Sequence, residues 1–504
     1  MKLKRQDRFR QVSLSSRDGS PWDEPTDTYP KADSEEQEKK YQSTLLRLMP
    51  RLSWPEGLYL ASCHNPIAIT QNHQRQLVEL HDALTAAIID IVERWWTDAS
   101  ARFPERMPLE PQEEDLLQWM QKLSPKELRP FKKCMGSWRP DFLLESHKDL
   151  DNKDVVENFR ICEINARFCW NGYVNAAVGQ QAFIPLSKGQ NPPEHATDPE
   201  KMFQGLLRIF DPERPLHLLK GEEKGIGIPM FAEYTQRHLG IYPRFIVPAD
   251  LRLIADTSSK GSYKLCCRIS KKERRWICPR SKVFINDQGE MLEEIHQVCL
   301  ELHQREIRAL DPEILRQIST RCFNDMRTIL LVHDKRMLGL VLEELKPLAR
   351  RGILTPKQVD ILQNGIATTI IPGSAEMARF ITRCQESPSL KDEYILKPIR
   401  SGKGAGILFG DELKISEWAL KLELLRCPLI APGLTTYVVQ RKISPLTYDL
   451  TLRAAEGRVR RSMVGTYHAI HGELIGFGTW RVSKERICAV SHGGAWCCSV
   501  VVNC

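Results

Sequence analysis

Two short motifs in the first third of the chain carry chemically competent residues at a spacing that would bring them together. "WRPDFLL" holds Arg139 and Asp141, and "ICEINARF" holds Glu163 and Asn165. In an extended strand residues i and i+2 share a face, so each motif presents its two polar side chains side by side. Phe142 and Leu144 of the first motif then point the other way. Two carboxylates and one amide oxygen form a hard oxygen-donor set of the kind Mg²⁺ takes. An arginine beside them suits bidentate contact with phosphate oxygens. A buried carboxylate without a partner is costly, so a glutamate set among Ile161, Cys162 and Ile164 calls for a cation. Each motif taken alone also fits a plainer alternative, an Arg–Asp ion pair or a solvated strand face.

The second half of the chain adds phosphate-binding chemistry. "EYILKPIRSGKGAGILFG" is an apolar strand that ends in Lys397, then a glycine-rich loop with Gly402, Gly404 and Gly406, then a second strand. Glycines let a backbone curl so that its N–H groups converge on an anion, and lysine supplies a point charge. The loop is not a Walker motif, since GxxxxGK[ST] is missing and a strand follows it. A β-hairpin turn would look similar. "TTYVVQRKI" alternates like a central strand and ends near Gln440, whose amide could read the edge of an adenine ring or simply close a core strand. In "LVHDKRMLGLVLEEL", Lys335 stands where a helix begins. Lysine is out of place at the positive end of a helix, which points to an anion nearby.

These residues need strands and helices to hold them. "ITQNHQRQLVELHDALTAAIIDIVERWWTD" repeats Leu77, Leu80, Leu84, Ile88 and Ile91 at helical spacing, with Trp95 and Trp96 covering the core near its end. "SPKEL" at Ser124 and "DPEIL" at Asp311 read as helix starts. Between Glu223 and Leu292 loop, helix and strand alternate, the pattern of an open α/β domain. A helix-rich segment is expected from Leu292 to about Ala367. Strands follow from Tyr394: "YILKPI", "GILFG", "TYVVQRKI", "LTLRAA", "RSMVGTYHAI" and "RICAV". The terminal "GGAWCCSVVVNC" could be a short strand or a frayed tail.

Bulk composition excludes several classes. With 504 residues the chain holds more than one core, and 42% apolar and 27% charged residues are ordinary for a soluble globular protein. No apolar run reaches the ~18 residues of a membrane span, and the basic N-terminus has no signal-peptide core; the expectation is a cytoplasmic protein with no membrane partner. The net charge of +8 is modest, and no basic run interleaved with aromatics suggests nucleic acid. Fifteen cysteines without a CxxC pair read as reduced, mostly buried thiols. Cys162 reads as one of these and not as a nucleophile.

Taken in order, the motifs resemble the synthetase domain of glutathionylspermidine and trypanothione synthetases, members of the circularly permuted ATP-grasp superfamily. There an R-x-D pair and then E-x-N precede the nucleotide lysines, as Arg139/Asp141 and Glu163/Asn165 precede Lys335, Lys397 and Gln440 here. The closing "MVGTYHAIHGELIGFGTWRVSKERICAV" is similar to that family's final segment. The resemblance spans about residues 135 to 500. It implies Asp141, Glu163 and Asn165 as Mg²⁺ ligands, and Lys335, Lys397 and the loop Ser401, Gly402, Lys403, Gly404 and Gly406 as holders of ATP phosphates. It implies Gln440 at the adenine and Arg139 at the transferred phosphoryl group, with Arg481 at the acyl substrate.

The departures limit what carries over. The family reads N-A-D-T where this chain has Asn165-Ala166-Arg167-Phe168, a basic residue at the edge of the substrate pocket. Val482-Ser483 replace an acidic pair after the closing arginine. The first 130 residues read as a tail and a helical region and not as the family's amidase domain. The expected fold is α/β (α+β) and ATP-grasp-like, with an N-terminal helical region and an open α/β pre-ATP-grasp-like domain. Along the chain this gives a disordered charged tail (1–45), a helical region (46–130) and metal-ligand strands with the α/β domain (131–290). A helix-rich nucleotide-binding part (291–392) and the ATP-grasp strands with the glycine loop and C-terminal segment (393–504) complete it. The implied reaction joins a small-molecule carboxylate to an amine through an acyl phosphate, with ATP and Mg²⁺ and release of ADP. A small-molecule kinase, or a non-catalytic ATP-binding regulator, stays open as an alternative.

Overall fold

The computed structural model describes residues 8–13, 31–148, 155–183, 194–223, 227–256, 263–270, 280–430, 433–490 and 493–502. Helix Gln71–Glu93 follows the spacing of its leucines and isoleucines. Thr70 caps it, its hydroxyl accepting from His73 N while His73 Nδ1 accepts from Thr70 N, and Leu77, Leu80, Leu84, Ile88 and Ile91 are buried. Trp95 is buried beyond its end and Trp96 packs partly on the same core. Asp311 caps Pro312–Ser319 by accepting from Glu313 N and Ile314 N.

Four stretches differ from expectation. Part of the expected tail is ordered: Lys31–Leu48 is a helix whose Tyr41 and Leu45, one turn apart, are fully buried. Tyr41 Oη donates to Gly179 O at 3.1 Å. A narrow apolar stripe suffices when the other faces are charged, and that composition imitates a disordered tail. Upstream, Phe9 stacks on His73 and Arg10–Gln11 pairs with Ile67 and Ala68; residues 1–7 and 14–30 of the expected tail lie outside the described residues. Ser124 starts a turn and no helix, its N–H and hydroxyl donating to Glu127, because Pro130 disfavours helical backbone just before it. The segment from Leu292 opens as strands Met291–Glu294 and Val298–Glu301, with helices only from Gln304. Arg486–Val490 forms no strand; Arg486 instead lies 3.9 Å over the Phe409 ring and pairs with Asp411.

Three sheets position the chemistry. The largest is antiparallel and runs Ala495–Cys497, Trp480–Val482, Val464–Ile470, Ser137–Lys148 and Val155–Asn165, with Glu473–Phe477 also on Val464–Ile470. It therefore joins strands from two of the segments drawn along the sequence. A parallel sheet, Val298–Glu301, His217–Lys220 and Arg244–Ile246, carries helix Ile228–Tyr234 in its crossover; this is the open α/β unit. The third is antiparallel, in the order Thr369–Ile370, Tyr437–Arg441, Tyr394–Pro398 and Leu408–Phe409. It has its own core of Met377, Phe380, Leu396, Trp418 and Val439. The terminal segment makes two short strands, Ala495–Cys497 and Ser499–Val501, and Trp496 stacks on Trp54.

Candidate active site

The two motifs that began the sequence reading are neighbouring strands. In their antiparallel register Arg139 faces Asn165 and Asp141 faces Glu163, so all four side chains share one face of the sheet. The register then shifts: Phe142 faces Ile161, and Cys162 is the extra residue of a β-bulge. Such a bulge re-aims a strand next to a site. Here it changes the parity of the second strand, so that Ile161 packs in the core opposite Phe142 while Glu163 stays on the polar face. It also turns the Cys162 carbonyl toward Lys397 Nζ (3.1 Å) and Gln440 Nε2 (3.2 Å), which both donate to it. Burial pushes the Cys162 thiol up to about 11, the environment of an inert cysteine.

Lysines close over this face. Lys335 Nζ and Lys397 Nζ each lie 3.6 Å from Glu163 Oε2, and Asn165 Nδ2 donates to Glu163 Oε1 at 3.4 Å. Burial alone would raise the Glu163 carboxyl, but Lys397 and then Lys335 hold it well below the usual range; it is ionised at any physiological pH. Burial lowers Lys335, with Glu163 opposing and Lys397 adding to the fall. The anion expected near Lys335 at the start of helix Arg336–Arg350 is therefore Glu163. Asp141 is bracketed by two arginines: Arg139 Nε donates to Oδ1 at 3.0 Å, and Arg481 Nη2 pairs with Oδ2. Arg139 also donates to Asn171 O.

The glycine loop is anchored at its base. Lys335 Nζ donates to Ser401 O at 2.6 Å and Lys335 N to Ile399 O at 2.9 Å, which binds the helix start to the strand end. Lys403, Gly404 and Gly406 all have positive φ, a conformation glycine adopts without strain. A Cβ at Gly404 would run into Ile487, whereas open space surrounds Gly402. The Lys403 ammonium does not join Lys335 and Lys397; it pairs with Glu223 Oε1 at 2.9 Å, on the parallel sheet's side. Gln440 is at the site but buried beneath it. Its amide donates to Cys162 O and Thr369 Oγ1, and its oxygen accepts from Lys397 Nζ at 3.3 Å. Both amide hydrogens are thus used within the protein, and the side chain steadies Lys397.

A supporting network was absent from the sequence reading. Asp334 accepts from Arg336 N, Nε and Nη2 and from Arg400 Nε, and Arg400 Nη1 donates to Glu113 Oε2 at 2.8 Å. Asp334, Arg336 and Glu113 are each 1% exposed, so these are buried charges fully paired. They lock the helix start that carries Lys335 to the entrance of the glycine loop. Only the Asp-Lys-Arg run hinted at this from sequence; Arg400 and Glu113 meet it from far along the chain. Apart from the site, His217, Cys267 and Glu293 converge in a buried group, but Arg244 already pairs with that carboxylate.

Comparison with known proteins gives the family of the chain. Residues 80–331 match the family model described as the AnkG N-terminal domain. Over 464 residues, 92% of this chain and 93% of the other, the sequence is 35% identical to the ATP-grasp enzyme ankG of Aspergillus thermomutatus. The chain belongs to the ATP-grasp enzymes. A glutathione synthetase-like effector of Globodera pallida, solved in apo form, shares the fold of this ATP-grasp enzyme with a TM-score of 0.52. It is 11% identical, and the match covers 94% of this chain and 98% of that one. The ATP-grasp resemblance read from motif order is borne out at the level of the superfamily, as is the mixed helix-and-sheet fold. Among the described residues no helix is long and apolar enough to cross a membrane.

Proposed function

We propose that this ATP-grasp enzyme is a carboxylate–amine ligase that forms an amide through an acyl phosphate and releases ADP and phosphate. The observation that carries the reading is the register that sets Arg139 and Asp141 opposite Asn165 and Glu163, beneath Lys335 and Lys397. Three oxygen-bearing side chains on one face, with Glu163 kept ionised by two lysines, fit a hard divalent cation. Asp141, Glu163 and Asn165 would hold Mg²⁺, which supplies charge neutralisation at the phosphates of ATP.

Lys335 and Lys397 neutralise the phosphate oxygens, and Gln440 with the Cys162 carbonyl fixes where Lys397 can reach. Arg139, held by Asp141, steadies the phosphoryl group as the substrate carboxylate attacks it, and Arg481 on the same aspartate contacts the acyl substrate. Stabilising that developing charge with groups already in place is the main catalytic contribution in phosphoryl transfer. The loop Ser401–Gly406 closes over the nucleotide and keeps water from the acyl phosphate. No side-chain nucleophile is needed, in keeping with the inert Cys162. The protein acts by aligning carboxylate, phosphate and amine.

The reading is tested by the nucleotide product. Purified protein is incubated with Mg·ATP and a small-molecule extract of the source cells. The expected outcome is ADP, formed only when extract is present. AMP would mean adenylate chemistry and overturn the mechanism, and ADP with a stable phosphorylated product and no amine requirement would make the enzyme a kinase.

A further inference from the structure

Next to the Glu163 face lies a second set of charges that phosphate chemistry does not use. Glu301 ends a strand of the parallel sheet with 2% exposure, and among the described residues its carboxylate accepts only a long contact, 3.9 Å, from Cys299 Sγ. Arg167 follows Asn165 by two residues and is 9% exposed. Its guanidinium lies 4.6 Å over the Phe168 ring, and its Nε has no hydrogen-bond partner. Arg167 feels the charges of Glu223, Glu301 and Glu306 yet forms no ion pair with any of them. Glu223 completes the cluster, with Lys403 of the glycine loop on one oxygen and His303 facing the other at 3.4 Å.

Buried charges are normally paired. A buried carboxylate and a buried guanidinium without an ion-pair partner of their own among the described residues are suited to hold a third group. Beside Glu301 and Glu223 that group is a cation carrying hydrogen-bond donors. The cluster also adjoins the phosphoryl chemistry, because Arg167 follows Asn165 by two residues and Lys403 of the glycine loop pairs with Glu223 at 2.9 Å. An amine substrate arrives as an ammonium, which cannot attack an acyl phosphate until it loses a proton.

Resting on the ligase reading, we propose that Glu301 receives the ammonium of the amine substrate and takes its proton. The charged groups facing Glu301 are Glu223, Arg167 and Lys220, with the Cys299 thiol on its own strand. Burial first, and Glu223 second, push its carboxyl up to about 8, while Arg167 draws it down; an entering ammonium draws it further toward the ionised form that can take a proton. A base works best with its pKa near the operating pH. The step balances: the ammonium gives one proton to the Glu301 carboxylate, and the freed nitrogen lone pair bonds to the acyl carbon. The carbon–oxygen bond to phosphate breaks, and phosphate leaves with that electron pair and the second nitrogen proton. Glu301 then releases its proton to solvent.

Hydroxylamine separates this role from a structural one, since it is largely unprotonated near neutral pH and traps acyl phosphates as hydroxamates. Wild type, Glu301→Gln and Glu301→Asp are assayed with Mg·ATP and a panel of the amino acids, acetate, succinate and citrate as acids. Each acid is paired with the amino acids or with hydroxylamine as nucleophile. Glu301→Gln is expected to keep hydroxamate formation within about twofold and to lose amide formation by roughly 10²-fold, with Glu301→Asp partly rescued. Its remaining amide rate should rise about tenfold per pH unit, following the free amine. An equal loss with both nucleophiles, or an unchanged amide rate, overturns the proposal. A wild type that makes neither ADP nor hydroxamate removes the ligase reading, and this proposal with it.

Discussion

Glu163→Gln will release ADP at a rate roughly 10²–10³-fold below wild type, the range lost when one preorganised charge-stabilising group is removed, and will stay folded with a lowered melting temperature. The amide keeps the shape of the carboxylate and can still accept from Asn165, so packing is preserved. What disappears is the negative charge that two buried ammonium groups share, at 3.6 Å each. Without it Lys335 and Lys397 face each other uncompensated, and the oxygen set loses its strongest donor for a divalent cation. ADP release by steady-state assay and thermal unfolding of the same preparation separate the two effects. A rate within a fewfold of wild type would remove Glu163 from the site chemistry.

Asp334→Ala is expected to act through the fold. Among the described residues Asp334 is the only partner of the buried Arg336 guanidinium, and it also holds Arg400 Nε at 2.9 Å. Removing it strands a buried positive charge, a change that costs about 3–5 kcal/mol. The midpoint of unfolding should fall accordingly. The double variant Asp334→Leu, Arg336→Met should lose less, because the buried Arg336 charge leaves with its partner and Arg400 keeps Glu113. If the single variant unfolds like wild type, the network is not what joins the Lys335 helix to the glycine loop.

The site was legible in the sequence where its parts were local. Pairs two apart on a strand, a lysine closing an apolar strand and glycines after it are short-range patterns, and the structure brings Arg139, Asp141, Glu163, Asn165, Lys335 and Lys397 together. The bulge at Cys162 was not legible. By simple alternation Ile161 shares a face with Glu163, and only pairing with Phe142 shows that it does not. Arg481 reaches Asp141 because the Trp480–Val482 and Ser137–Lys148 strands flank Val464–Ile470. That adjacency is set by sheet order, which no local pattern encodes. The same holds for Arg400 and Glu113. Helix Lys31–Leu48 stayed hidden because its buried face is little more than Tyr41 and Leu45 amid charge. Gln440 shows the opposite limit: its position near the site was readable, but which partners its amide would take was not.

The central claim, that the face beneath Lys335 and Lys397 binds Mg·ATP, is tested most directly by equilibrium binding of a non-hydrolysable ATP analogue, with and without Mg²⁺. Wild type is compared with the double variant Lys335→Met, Lys397→Met. The account predicts binding that Mg²⁺ strengthens in wild type and that the double variant loses while remaining folded. Binding of equal strength in both proteins would place the nucleotide elsewhere and contradict it.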